Sequence, residues 1–388
     1  MTATVLDDFD VVSFDPRGVQ RSDPVTCGNS PSGTSTTATD LPDPVPVGAA
    51  AVQSLEGQLK RFAAACEKAD GSILPYVGTV DTARDLDRIR AALGDATLTF
   101  MGQSYGTLLG ATYAELFPTH VRALVLDSAI DPALSLSQFV LDQAEGFEAA
   151  FGRFATWCAS TPSCPWRPTG TATAAVSALV SQVTATPLPA GANASVASAT
   201  AGPGALYDAL LDGLYAESDW PTLGNALAQA TGGDGSDLVQ MADHYVAGGG
   251  TNTEEANVAI NCLDYPTSKD LAAYPTLAAA DTAKAPLFGA LVAWGAASCA
   301  VWPVPATRAP GPITAAGSPP ILVIGTTGDP ATPYQWAVSL AGQLQHGVLL
   351  TRDGNDHVAY FYSGCVRSAV GAYLVSGTVP AAGTVCTG

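Results

Sequence analysis

The chain has 388 residues, 47% of them hydrophobic, and a formal net charge of −19. This length and apolar content supply a sizeable core and exclude global disorder. The acidic surface repels nucleic acid and anionic membrane, and no apolar run of about 18 residues is present to cross a bilayer, so neither partner is expected. From the N-terminus, Met1 to Asp10 is polar and acidic and carries no signal-peptide pattern. Phe9 to Phe14 (FDVVSF) is a β-branched run that ends in Asp15-Pro16-Arg17-Gly18, which predicts a strand and then a turn. Residues 28 to 50, rich in Ser, Thr, Pro and Gly, read as loop. The spacing of Leu55, Leu59, Phe62 and Cys66 predicts a helix over 51–70, and that of Leu86, Ile89 and Leu93 a second over 79–93. A strand over 97–101 runs into Gly102-Gln103-Ser104-Tyr105-Gly106. A helix to about Leu116 and a strand over 121–126 follow.

From Asp131 to about Ser318 the pattern changes. Phe139, Gln143, Phe147, Phe151, Phe154 and Cys158 share one face of a long helix, a stripe that reads as core, and further helical and Pro-rich pieces follow. This block reads as an inserted, mainly helical cap. The sheet pattern then returns: an apolar strand over 320–325 leads to Gly328-Asp329, a helix covers 335–344, a strand over 347–351 leads to Asp356-His357, and a last helix over 363–374 precedes a short tail. Alternating strands and helices indicate an α/β fold with a mostly parallel sheet. Three parts result: core residues 1–130, a cap at 131–318, and a returning core at 319–388.

Eight cysteines are present: Cys27, Cys66, Cys158, Cys164, Cys262, Cys299, Cys365 and Cys386. There is no CxxC pair and no Cys/His cluster, so no zinc site is expected. Without a Walker-type loop or a dinucleotide fingerprint, no cofactor is implied either. The even count reads as four disulfides in an oxidising compartment, with 105 connectivities open to sequence alone. Such a pattern without an export signal leads us to expect that the N-terminus is incomplete.

The strongest local signal is Gly102-Gln103-Ser104-Tyr105-Gly106. In a nucleophile elbow a strand turns sharply into a helix with serine at the apex, and both flanking elements are expected here. A serine nucleophile needs a histidine base. Of the four histidines, His120 lies in a loop before a strand, His244 within the cap, and His346 at the wrong end of the last strand; His357 follows that strand. The acid should close a strand and precede the histidine. Asp329 does both; Asp127 is a rival, whereas Asp353 and Asp356 read as loop carboxylates. In this arrangement His357 deprotonates Ser104, Asp329 holds the imidazole tautomer, and the Tyr105 backbone N–H donates to the oxyanion.

Several longer segments extend these motifs: FDVVSFDPRGVQRSDPVTC (9–27), FMGQSYGTLLGATYAELFP (100–118), VLDSAIDP (125–132), AINCLD (259–264), GTTGDPATPYQWA (325–337), GNDHVAYF (354–361) and YLVSGTVPAAGTVC (373–386). Together they resemble, in order and over nearly the whole chain, the tripeptidyl aminopeptidase branch of the proline iminopeptidase family, α/β-hydrolase serine peptidases of actinobacteria. The resemblance implies an exported serine exopeptidase that removes short peptides from free N-termini under a cap. It implies the pairs Cys27–Cys66, Cys158–Cys164, Cys262–Cys299 and Cys365–Cys386. It also implies a turn role for Asp15-Pro16-Arg17-Gly18. One departure stands out. The family carries a glycine-rich oxyanion segment upstream of the D-P-R-G strand, and nothing like it occurs here. The expectation is therefore an α/β-hydrolase fold whose first strands and oxyanion segment are missing, belonging to a longer exported precursor with Met1 an internal start; the competing expectation is a truncated homologue with impaired or no activity.

A peptidase of this kind must hold a substrate ammonium, for which a carboxylate is the natural partner. Glu254, Glu255 and Asp264 are the candidates. Glu254 and Glu255 also fit a solvated helix face, and Asp264 also fits a brace for the Cys262 region. The expected partner is a peptide, the protein acting as a monomer, secreted or at the cell envelope. An esterase or lipase-like activity on the same triad, and an inactive fragment, are the alternatives.

Overall fold

The computed structural model describes residues 2–28, 43–191, 200–248 and 250–387. Its strands are β1 Leu98–Gln103, β2 Val121–Asp127, β3 Leu188–Pro189, β4 Thr200–Ala201, β5 Ile321–Thr326, β6 Gly347–Asp353 and β7 Val385–Thr387. Among the described residues β1, β2, β5, β6 and β7 form one sheet in that order, every pair parallel, while β3 and β4 make a short antiparallel ladder among the helices.

The central strands are continuous apolar runs because both faces of the sheet are covered. Side chains alternate between two clusters. Leu124, Leu126, Ile321 and Val323 pack with Leu86, Leu109, Tyr113 and Leu340 from the helices Thr79–Ala92, Tyr105–Leu116 and Tyr334–Gln343. Ala123, Val125, Leu322 and Ile324 pack with Val366, Val370 and Leu374 of the helix Gly364–Ser376 on the other face. The period of two thus fixes which side chains meet which helices.

The segment Phe9–Phe14 departs from expectation. Ala3–Asp8 forms a short helix, and 9–14 follows as chain outside any ladder, with Val11 and Val12 53% and 58% exposed. A β-branched run becomes a strand only beside a partner. Among the described residues β1 pairs on one side alone, with β2, and 9–14 does not reach it. The C-terminal tail departs in the opposite sense: Val385–Thr387 adds a fifth parallel strand beside β6. Of the 28–50 stretch, 29–42 lies outside the described residues, and a helix Ala49–Asp70 begins at its end.

Between β2 and β5 the chain is mostly helical, from Leu136–Ser160 to Gly289–Ala300. Phe147, Phe151 and Phe154 of the first of these helices are buried against Trp166, Trp220 and Phe288, so most of the Phe stripe is core. Phe139 instead stacks on Trp336, 4.9 Å between centroids, joining this helix to the one after β5. All four disulfides pair as the resemblance implied: Cys27–Cys66, Cys158–Cys164, Cys262–Cys299 and Cys365–Cys386. Arg17 holds its turn through two 2.6 Å bonds to the Asp85 carboxylate and a third to the Tyr76 carbonyl. No helix among the described residues is long and apolar enough to cross a membrane.

Candidate active site

Ser104 stands at the junction of β1 and the helix Tyr105–Leu116 with φ 52° and ψ −121°, a backbone state that a non-glycine residue adopts at a cost of about 1–3 kcal/mol. Its N–H donates to the Asp127 carbonyl at 3.0 Å, and its own carbonyl accepts from Thr107 Oγ1 at 2.6 Å. The two glycines of the motif are not equivalent. A Cβ at Gly102 would collide with the Gly106 carbonyl and lie 2.8 Å from the Phe100 ring, whereas a Cβ at Gly106 meets nothing within 4 Å. The backbone crowding around the serine is therefore confined to the first. Gly102→Ala should destabilise the protein by about 3 kcal/mol, while Gly106→Ala should be neutral or stabilising by up to about 1 kcal/mol. Equal melting temperatures for the two variants would contradict this asymmetry.

His357 follows β6 and Asp329 follows β5. His357 Nδ1 lies 2.9 Å from Asp329 Oδ1 and 3.0 Å from Oδ2. Asp329 is buried and held on all sides: Ala331 and Thr332 N–H donate to Oδ1, and the hydroxyls of Thr332 and Ser128 donate to Oδ2. Burial works against the His357 imidazolium, but the Asp329 charge and hydrogen bond, with Asp127 behind, prevail and hold its pKa above the ordinary histidine value. The His357 ring meets Tyr215 edge-on at 5.4 Å, and the His357 backbone N–H donates to the Tyr215 carbonyl. The structure therefore brings Asp329 and His357 into direct contact. Among the described residues the Ser104 hydroxyl makes no hydrogen bond; it shares with the other two a place just beyond the C-terminal end of a parallel strand, the edge where such sheets carry their sites.

The rivals occupy other positions. Asp127 ends β2, fully buried, and accepts from the backbone N–H of Ala359 and Tyr360 rather than from the imidazole. Burial pushes its pKa up to about 6, against the two N–H donors, with Asp329 adding to the rise. Asp356 is paired with Arg352 at 2.6 Å, and Asp353 accepts from Thr327. His120, its side chain 39% exposed, pairs with Asp87 at 2.7 Å and stacks on Phe117. His244 pairs with Asp212 at 2.8 Å.

The Tyr105 N–H opens a helix, so it has no acceptor within that helix, and the positive end of the dipole faces the serine. The Tyr105 side chain does more than pack. Its hydroxyl lies 2.9 Å from Thr79 Oγ1, which in turn donates to Asp264 Oδ2, while Thr79 N–H donates to Asp264 Oδ1 at 2.9 Å. Asp264, at the end of the helix Thr253–Asp264, is 1% exposed and has both oxygens engaged. Its carboxylate ties that helix to the start of Thr79–Ala92 and, through Tyr105, to the elbow.

Glu254 and Glu255 lie in the first turn of the same helix. Glu254 keeps exposed surface, yet desolvation, then the neighbouring Glu255 charge, raises its pKa. Opposite stands Asp208 of the helix Pro203–Leu214, whose Oδ2 is buried without a hydrogen-bond partner. Desolvation, then Glu254 and Asp212, push the Asp208 pKa up to about 7. Tyr245 feels the Asp208 charge and contacts Tyr215, 6.1 Å between rings, and Tyr215 abuts His357. A path of neighbours thus runs from the imidazole through two tyrosines to an acidic group. Asp208 and both tyrosines escape a sequence reading because nothing local marks them: they sit on amphipathic helices of ordinary pattern.

The model of the TAP-like protein family matches residues 285–386, and that of the alpha/beta hydrolase fold matches residues 3–181. The chain is 38% identical to serine protease Hip1 of Mycobacterium tuberculosis over 97% of its own length and 74% of the relative's. The chain belongs to the tripeptidyl aminopeptidase-like α/β-hydrolase family. It is also 39% identical to carboxylesterase B of Mycobacterium tuberculosis over 98% of this chain and 74% of that one. To the tripeptidyl aminopeptidase of Streptomyces lividans it is 31% identical over 97% of this chain and 70% of the other. This family member is a serine hydrolase of the peptidase and esterase type.

Proposed function

We propose that this hydrolase is a serine exopeptidase that releases short peptides, of the tripeptide class, from free N-termini. Ser104 is the nucleophile, His357 the base, Asp329 the acid and the Tyr105 N–H an oxyanion donor. Ser104 attacks the scissile carbonyl carbon as its proton passes to His357 Nε2; the imidazolium then protonates the leaving amine, and water attacks the acyl-enzyme by the same route in reverse. The observation that carries the exopeptidase reading is the acidic group of Asp208, Glu254 and Glu255, separated from the imidazole by Tyr215 and Tyr245. Carboxylates, not cations, dominate the field at Asp208 and Glu254. A substrate ammonium relieves that repulsion, and a blocked N-terminus does not. Four disulfides fit an oxidising compartment and support a secreted or envelope location.

The test compares free-amine and N-blocked tripeptide anilides. Glu254→Gln and Asp208→Asn should each raise KM for the free-amine substrate by about tenfold and leave the blocked one unchanged, the effect of one partly solvated charge-assisted bond. Because Asp208 ionises as pH rises through about 7, KM for the free amine should fall between pH 6 and 7.5, where the substrate amine is still largely charged. A KM that is flat with pH and equally altered for both substrates would leave the esterase reading, which the carboxylesterase relative favours.

A further inference from the structure

Residues 127 and 128 touch the nucleophile, the acid and the turn that follows the base, though neither belongs to the proposed triad. The Asp127 carbonyl accepts the Ser104 N–H at 3.0 Å. Its carboxylate accepts Ala359 N–H at 3.1 Å through Oδ1 and Tyr360 N–H at 2.9 Å through Oδ2. Ser128 Oγ donates to Asp329 Oδ2 at 2.6 Å and accepts Val358 N–H at 2.8 Å. Both residues are fully buried, at the end of β2, with β1 on one side and β5 on the other. Ser128 has φ 58° while its N–H still donates to the Ile324 carbonyl of β5, so the residue directly after the strand turns without leaving the sheet.

The loop that carries the base is the part most in need of such support. Val358, directly after His357, has φ 69°, a left-handed state that a β-branched residue strongly resists. Three successive N–H groups, at 358, 359 and 360, end on the side chains of Ser128 and Asp127. A neutral side chain of the same shape cannot replace Asp127, because an amide offers one acceptor oxygen where two donors converge.

We propose that Asp127 and Ser128 are a positioning pair that sets the nucleophile, the acid and the base in register from a single point of the sheet. The backbone of the pair holds the elbow, Ser128 clamps the acid against the base loop, and Asp127 anchors the strained turn after His357. This rests on the triad reading above. The Asp127 charge has a second consequence. The charged groups acting on His357 are Asp329 and Asp127, so loss of the Asp127 charge weakens the imidazolium while the direct Asp329 bond remains.

The test uses the full chain with Asp127→Asn and Ser128→Ala, an ester substrate, and NMR titration of the His357 ring, assigned by its loss in His357→Gln. In Asp127→Asn, kcat should fall about 100-fold, the effect of misplacing a base by a fraction of an ångström to an ångström. KM should stay unchanged, and both the His357 titration and the acid limb of kcat/KM should move to lower pH. Ser128→Ala, which keeps the charge, should lower kcat by a similar factor with a smaller titration shift. A purely structural role would lower the melting temperature and leave kcat of the folded fraction and the titration as in wild type; that result in either folded variant overturns the proposal. If Asp127→Asn does not fold, Ser128→Ala decides. Failure of the triad reading looks different: Ser104→Ala would keep its activity and Asp329→Asn would leave the His357 titration in place.

Discussion

Ser104→Ala should lower kcat by about 10⁴- to 10⁶-fold, with KM for small esters nearly unchanged, because in the proposed mechanism the serine forms the covalent bond and contributes little to ground-state binding. His357→Ala should be as severe, and the double variant no worse than either, since groups that act as one unit do not add. Fluorophosphonate labelling mapped to Ser104 gives a readout independent of turnover: wild type labels, and both single variants do not. The pH dependence has a fixed sign. His357 must be neutral to take the serine proton, and its pKa is raised by Asp329 and Asp127 against burial. Activity should therefore be lost as pH falls through a value above that of an ordinary histidine. Wild-type turnover in Ser104→Ala, or an acid limb below the ordinary histidine value, would remove these two residues from the mechanism.

The second large effect concerns Asp264. Its two oxygens are occupied by Thr79, and it is closed to solvent. Asp264→Ala leaves the Thr79 N–H and hydroxyl without their acceptor in a buried place, and should cost about 3 kcal/mol of stability. Because Thr79 also meets the Tyr105 hydroxyl, kcat/KM should fall by the same factor for free-amine and blocked peptides. The other role considered for this residue, direct binding of the substrate amine, requires a KM effect confined to the free amine. Thermal melts and the two substrate classes separate these roles.

Much of this arrangement was legible in the sequence where one segment carries both pattern and chemistry. β1 and its helix, β5 with Asp329, and β6 with His357 each announce themselves as an apolar run meeting a polar residue at its C-terminal end, and local periodicity is sufficient to find them. FDVVSF has the same local composition and is not a strand, because strand formation depends on a neighbour that local pattern cannot reveal. Val385–Thr387 shows the converse: three residues with little pattern become a strand once the Cys365–Cys386 bond sets them beside β6. Asp208, Tyr215 and Tyr245 meet the site only through helix packing, and Ser128 carries no motif of its own. Asp127 was visible as a carboxylate ending a strand; what it holds was not, since its partners lie over two hundred positions away.

The disulfide pattern has a consequence for how the chain matures. Counted from the N-terminus, the first cysteine joins the second, the third the fourth, the fifth the sixth and the seventh the eighth. A polypeptide that emerges N-terminus first, from a ribosome or a translocon, therefore presents each cysteine's correct partner as the very next one to appear. An oxidase acting on thiols in order of emergence makes only correct bonds, and no later reshuffling step is required. Oxidative refolding of the full-length reduced chain loses this ordering, because all eight thiols compete at once.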